Sequence, residues 1–218
     1  MDCRAVIFDL DGTLLNTLQD LADSVNKGLI DLGLPTHPVE AYRYLVGDGR
    51  EELALRAIPE DKRDPDTVER LIESINTEYS RRWADTTLPY PGIPDLLDSL
   101  VARRINMAVL SNKPHDFTLL MVSRLLPRWQ FEIVCGALPG VPKKPDCTAA
   151  VDIARKMSIK PENIIYLGDS GVDMLTAVSA GMYAVGALWG YRTASELKSA
   201  GALALISDPA ELLQFLDT

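Results

Sequence analysis

The chain of 218 residues is 47% hydrophobic, enough to bury one good core and a small second one. Its formal net charge of −9 argues against a nucleic-acid backbone or an anionic membrane as partner, since both demand a basic surface. Three cysteines, Cys3, Cys135 and Cys147, are odd in number and lack CxxC spacing, which argues against a disulfide framework or a structural zinc site and fits a reducing compartment. The N-terminus passes straight into an apolar segment without a basic-then-apolar leader, and no stretch approaches membrane-spanning length, so a cytoplasmic location is expected.

In chain order, Ala5 to Phe8 is a short apolar run suited to a strand buried on both faces. Leu18, Leu21, Ala22, Val25, Leu29 and Leu32 then recur at spacings of three and four and predict an amphipathic helix ending near Gly33, with Pro35 beyond. A shorter helix is predicted from about Pro38 to Leu45; the loop Val46-Gly47-Asp48-Gly49 breaks it and Glu51 to Ala57 resume it. Thr67 to Trp83 read as a long helix, after which Pro89, Pro91 and Pro94 close the region.

From Pro91 onward short apolar runs alternate with helical patterns, as a doubly wound sheet requires. Strands are predicted at Asn106 to Leu110, Phe131 to Cys135, Ile164 to Leu167, Ala184 to Ala187 and Ala204 to Ile206. Helices are predicted at about Ile93 to Arg103, Asp116 to Leu126, Asp146 to Met157, Val172 to Ala180, Ala194 to Ala200 and Pro209 to Leu216. The expected fold is α/β: a doubly wound, parallel-sheet, Rossmann-like core of residues 1–15 and 87–218, interrupted after its first strand by an all-helical cap of residues 16–86. Ligands of such sheets bind beyond the carboxyl ends of the strands.

Asp9 and Asp11 stand where the first strand should end. In extended backbone, residues two apart face the same way, so both carboxylates enter one space and Leu10 turns away. Like charges that close disfavour joint ionisation unless a cation intervenes, which suits the pair to one nucleophile and one proton carrier. Gly12 permits a sharp turn after them. Taken alone, DLDG is also an ordinary polar turn, Ser111-Asn112 before Lys113-Pro114 a turn leading into a helix, and Asp169 or Ser170 a helix cap.

DxDGT directly after an N-terminal strand resembles motif I of the haloacid dehalogenase-like phosphohydrolases, and later segments resemble that family's other motifs in order. Ser111, in LSNKP, matches the motif II hydroxyl that holds a phosphoryl oxygen, with Asn112 beside it. Lys144, in KKPD, matches the motif III lysine and is preferred to Lys143 because the family lysine stands immediately before proline. Asp169 and Asp173, in GDSGVDM, match motif IV, which supplies magnesium ligands in the family; Asp169 is carried over as the direct ligand, and Asp173 as acting through water or by orienting Lys144. The resemblance thus implies catalysis by Asp9, Asp11, Ser111 and Lys144, and an Mg²⁺ site among Asp9, Asp11, Asp169 and Asp173. It also implies phosphoryl binding by Gly12, Thr13, Ser111, Asn112 and Lys144.

A charge count agrees. Four carboxylates against Lys144 and one divalent cation leave about −1, and a phosphate dianion takes the site to about −3, which protonation of Asp11 partly relieves. All-oxygen ligation favours Mg²⁺ over a soft metal. The mechanism implied is attack of Asp9 on phosphorus, with Asp11 protonating the leaving oxygen and then deprotonating the water that hydrolyses the aspartyl-phosphate.

Within the family, dehalogenases carry an aromatic residue and phosphonatases a small one where Asp11 stands, and the sugar phosphomutases place a histidine where this chain has Leu21. YLVGDGREEL and LGLP in the cap are similar to phosphoglycolate phosphatases, which makes 2-phosphoglycolate the expected substrate. Arg50 in that segment is a candidate contact to a substrate carboxylate. A pyrophosphatase, nucleotidase or sugar phosphatase, a phosphomutase, and a catalytically silent metabolite-binding relative remain alternatives. Monomer and homodimer are equally open. His37 and His115 lie beside prolines without partners at ligand spacing, and Trp189-Gly190-Tyr191 is assigned to core and loop packing.

Overall fold

The structure is a computed structural model that describes residues 2–216. Its strands are β1 (Ala5–Phe8), β2 (Leu15–Asn16), β3 (Leu88–Pro89), β4 (Asn106–Pro114), β5 (Ile133–Ala137), β6 (Ile164–Gly168), β7 (Tyr183–Ala187) and β8 (Ala204–Ile206). The α-helices are α1 (Leu18–Asp31), α2 (Tyr42–Leu45), α3 (Arg50–Ala57), α4 (Pro65–Arg82), α5 (Ile93–Ala102), α6 (His115–Leu125), α7 (Thr148–Met157), α8 (Gly171–Ser179) and α9 (Ala194–Ser199).

A strand buried at every position needs neighbours on both edges, and β1 has them. It pairs in parallel with β4 on one side and β6 on the other, with Ile7 opposite Ala108 and Tyr166. The six-stranded sheet runs β5-β4-β1-β6-β7-β8, and each of these pairings is parallel. The chain therefore starts in the middle, crosses to one edge through β4 and β5, and returns to build the other through β6, β7 and β8. The connection from β1 runs to β4 on one side and that from the adjacent β6 runs to β7 on the other, which opens a crevice at the carboxyl ends of β1 and β6. Ile7, Ala108, Leu110 and Tyr166 of the sheet share one buried cluster with Ala150 and Ile153 of α7 and Met174 and Ala177 of α8. Each large apolar side chain so buried contributes about 1.5–3 kcal/mol.

The chain divides into two compact units, Met1–Leu15 with Pro89–Thr218, and Asn16–Leu88. The second is helical. Gly28 of α1 faces α4 so closely that a Cβ there would lie 2.8 Å from Leu71 Cδ1, which is why the two helices can pack backbone to side chain. Asp64 starts α4 by accepting the Thr67 N–H, with Pro65 in the first turn. His37 has a structural place here: Nε2 meets the Ala57 carbonyl at 2.7 Å, and Asn26 Oδ1 accepts from its backbone N–H. Among the described residues no helix is long and apolar enough to cross a membrane.

Four elements differ from expectation. The segment expected as a helix from Pro38 is a 3-10 turn, Val39–Ala41, before the single turn α2, because Pro38 stays extended at ψ 149°. The last expected helix is 3-10, Pro209–Phe215, begun by Asp208 accepting from Ala210 N–H. The strand expected at Phe131 to Cys135 lies two residues later as β5, since Phe131 turns its ring edge-on to Phe8 at 6.4 Å and pairing begins with Ile133 opposite Ala108. Most consequentially, β4 does not stop at Leu110: after a register shift it runs on to Pro114, so Ser111, Asn112 and Lys113 are strand residues.

Two predictions follow from the packing. Asp20, 1% exposed, accepts the N–H groups of Thr86 (3.1 Å) and Thr87 (2.9 Å) and both threonine hydroxyls (2.6 and 2.7 Å), joining the first turn of α1 to the end of the helical unit. Asp20→Ala strands these donors and should lower unfolding free energy by about 3 kcal/mol, read as a reduced urea midpoint. Arg104 closes α5 in the left-handed region (φ 56°), where Ile105 N–H returns to the Leu100 carbonyl at 3.0 Å. Glycine is favoured at that position, so Arg104→Gly should raise stability by about 0.5–1 kcal/mol in the same titration.

Candidate active site

Asp9 follows β1 and is fixed by its N–H on the Leu167 carbonyl at 2.9 Å, so its carboxylate leaves the sheet at the carboxyl edge, between β4 and β6. Lys144, on the segment between β5 and α7, reaches across that edge. Its Nζ donates to Asp9 Oδ1 at 2.8 Å, Asp173 Oδ1 at 2.7 Å and the Leu110 carbonyl at 3.1 Å, and its side chain is 3% exposed. Burial works to lower the pKa of such an amine, but the charges of Asp173 and Asp9 outweigh it and hold Lys144 well above the usual lysine range. Lys144 rather than Lys143 is therefore the lysine at the sheet edge.

Asn112, expected as a substrate contact, grips the Lys144 backbone from both sides: Nδ2 donates to its carbonyl at 3.0 Å and Oδ1 accepts its N–H at 2.9 Å. It positions the lysine. Ser111 is 3% exposed, and its Oγ accepts the Lys113 N–H at 3.2 Å.

Asp169 follows β6, where Oδ1 accepts from Thr13 Oγ1 at 3.0 Å and Oδ2 from the Tyr191 N–H at 2.7 Å. Trp189 Nε1 donates to the Thr13 carbonyl at 3.0 Å. Trp189-Gly190-Tyr191 is thus more than packing: it holds the motif IV acid against the motif I turn. Gly12 has φ +86°, and a Cβ there or at Gly190 would run into Asp169. Asp173, in the first turn of α8, forms a capping box with Ser170, whose N–H and Oγ both donate to its Oδ2, while Oδ1 takes Lys144 and, at 3.4 Å, Tyr166 Oη. Four donors thus surround the Asp173 carboxylate, Lys144 among them.

Asp9, Asp169 and Asp173 each offer an oxygen within 4.8 Å of the others, a buried group that suits a hard divalent cation. Asp11, expected among the metal carboxylates, is not in this group. Its carboxylate lies instead on Lys113 Nζ, at 3.0 and 3.1 Å from its two oxygens. Burial first, then the charge of Asp173, raise the Asp9 carboxyl well above the ordinary range against the pull of Lys144, and the same two causes push Asp169 up to about 7. The three buried carboxylates outnumber the one ammonium among them, Lys144, and a cation would supply the positive charge still missing. Arg50, in the helical unit, donates from Nη1 to Asn76 Oδ1 at 2.9 Å and from Nε to Glu51 Oε1 at 3.4 Å.

The haloacid dehalogenase-like hydrolase family model matches residues 6–187. The chain belongs to the haloacid dehalogenase-like hydrolases. It is 31% identical over 213 residues to phosphoglycolate phosphatase of Pseudomonas putida, covering 96% of this chain and 78% of that one. It is 32% identical over 216 residues to phosphoglycolate phosphatase of Chromobacterium violaceum, covering 98% and 96%. A crystal structure of a candidate phosphoglycolate phosphatase from Lactobacillus delbrueckii subsp. bulgaricus superposes with a TM-score of 0.92 at 26% identity over 99% of both chains. This haloacid dehalogenase-like hydrolase is therefore similar to phosphoglycolate phosphatases across core and helical insertion alike.

Three participants escaped the sequence reading. Lys113 was legible in principle, two residues beyond Ser111, had the strand been carried through it. Tyr166 is an interior strand residue like any other in sequence, and Tyr191 acts through a backbone N–H that no side-chain pattern reports.

Protons and a cation compete for these carboxylates. A carboxyl raised in the folded protein lends stability below its unfolded pKa that is lost as pH rises through the folded value, here about 7 for Asp169. Metal-free protein should accordingly lose thermal stability between about pH 4 and 7, and the rise in Tm on adding a divalent cation should be larger at pH 8 than at pH 5.5. Equal metal-induced shifts at both pH values, measured by calorimetry, would contradict this assignment.

Proposed function

We propose that the chain is an Mg²⁺-dependent phosphatase that hydrolyses a small phosphate monoester, 2-phosphoglycolate, in the cytoplasm. The observation that carries this reading is Asp9 at the carboxyl end of the central strand, on Lys144 and within the acidic group, with Asp11 two residues on. Similarity to phosphoglycolate phosphatases along nearly the whole chain supports the substrate.

Asp9 attacks phosphorus; its Oδ–P bond forms as the bond to the leaving oxygen breaks, and Asp11 delivers a proton to that oxygen. Water then attacks phosphorus of the aspartyl-phosphate, Asp11 takes the water's proton, and phosphate leaves with Asp9 restored. Ser111 Oγ holds a phosphoryl oxygen, while Lys144, steadied by Asn112 and Asp173, faces the charge that develops on the phosphoryl group; the N–H groups of Gly12 and Thr13, expected to share that task, donate within their own turn to the Leu15 and Leu10 carbonyls. Asp9 and Asp169 would hold the metal, which when bound supplies Lewis-acid charge neutralisation at the phosphoryl group.

One general acid typically gives ~10²-fold to ~10⁴-fold, whereas total acceleration of phosphate-monoester hydrolysis reaches up to ~10²¹, so these groups must act together. A panel of 2-phosphoglycolate, sugar phosphates, nucleotides and pyrophosphate, with and without Mg²⁺, tests the substrate. For the roles, Asp11→Asn should slow alkyl phosphates by ~10²-fold or more, yet give a burst of nitrophenolate from nitrophenyl phosphate, whose leaving group needs little protonation. Asp9→Asn should give no burst. Equal losses on both substrates would remove Asp11 as the acid, and a burst surviving in Asp9→Asn would remove Asp9 as nucleophile.

A further inference from the structure

We propose that Lys113 is a positioning residue that sets the orientation of the Asp11 carboxylate toward the leaving group, an inference that rests on the reading of Asp11 as the leaving-group acid. A lysine side chain only 5% exposed requires a reason, since burying an ammonium is unfavourable unless it is paired and hydrogen-bonded. Its Nζ lies 3.0 and 3.1 Å from the two Asp11 oxygens, a straddling contact that fixes the rotation of the carboxyl group. The carboxylate itself keeps 20% exposure, leaving one side open to a reacting partner.

The lysine is in turn fixed along its backbone. Its N–H donates to Ser111 Oγ at 3.2 Å, and its carbonyl accepts from Thr118 Oγ1 at 3.2 Å. Gly136 of the neighbouring strand passes so close that a Cβ there would lie 2.6 Å from that carbonyl. Asp11 lies on an equally fixed turn, with the Gly12 N–H on the Leu15 carbonyl at 2.9 Å. With both backbones held, the side-chain rotation of Asp11 is the freedom left for Lys113 to restrict. Ser111 and Lys113 belong to one strand, so the hydroxyl assigned to a phosphoryl oxygen and the lysine that aims the acid are carried by the same backbone segment.

A residue that acts through the acid matters only where the acid matters. Lys113→Met, with Mg²⁺ present, should lower kcat for an alkyl phosphate by ~10²-fold, below the ~10⁴-fold ceiling for a general acid, and change the nitrophenolate burst rate by about threefold or less. Lys113→Arg, which retains a cation for Asp11, should show the same alkyl-selective pattern with a smaller loss. Asp11→Asn with Lys113→Met should be no slower on the alkyl substrate than Asp11→Asn alone. Equal losses on alkyl and aryl substrates, or additive losses in the double variant, would overturn the positioning role while phosphatase function stood. Absence of phosphatase turnover in the unsubstituted protein would instead remove the functional reading, and this role with it.

Discussion

A buried ammonium must find carboxylates within hydrogen-bonding reach, and Lys144 has two, Asp9 from the end of β1 and Asp173 from the start of α8. That single group ties three separate stretches of sequence to one point above the sheet. It also explains the support around it. Asn112 clamps the lysine's backbone, the Ser170 capping box fixes Asp173, and Tyr166 stands beneath both from the middle of β6. Removing either carboxylate would leave a buried charge under-compensated, which commonly costs several kcal/mol, so the site and the core share part of their stability.

Lys113 divides the positive charge differently from what the sequence alone implies. Counting it, four carboxylates face two lysines, and a divalent cation brings the group to about neutral before substrate arrives. The two cations serve different acids: Lys144 lies on Asp9 and Asp173, both within the acidic group, and Lys113 on Asp11 outside it. Because β4 and β5 lie on the same side of β1, each acid of the pair Asp9 and Asp11 meets a cation delivered from that side, Lys113 from β4 itself and Lys144 from the segment after β5. The acids are thereby distinguished by partner, although the sequence presents them as near equivalents.

Much of this was legible because it depends on local periodicity. The period of two aims Asp9 and Asp11 together, short apolar runs mark the strands, and spacings of three and four mark α1 and α4. The same parity applied to Ser111 and Lys113 would have exposed the second lysine, but ending the strand at Leu110 turned a strand pair into a turn. Pairing with β5 extends β4 past that point, and pairing is a long-range fact that SNKP does not carry. Likewise the choice between α and 3-10 geometry at Pro209–Phe215 is absent from apolar spacing, which fits either. The backbone N–H of Tyr191 and the buried hydroxyl of Tyr166 act through position alone.

Glycines complete the account of why the carboxylates stand so far from their usual behaviour. Side chains at Gly12 or Gly190 would collide with Asp169, and one at Gly168 with Asp173. Their absence lets the motif I turn, the end of β6 and the Trp189-Gly190-Tyr191 segment close on one another, excluding water from Asp169, which is 1% exposed. Excluded water is what raises the Asp169 and Asp9 carboxyls, because burial is the largest cause in each. The same closeness that penalises the ionised acids in the metal-free protein therefore creates the demand for a cation, and a looser loop with ordinary side chains would be more stable without metal and worse at holding it.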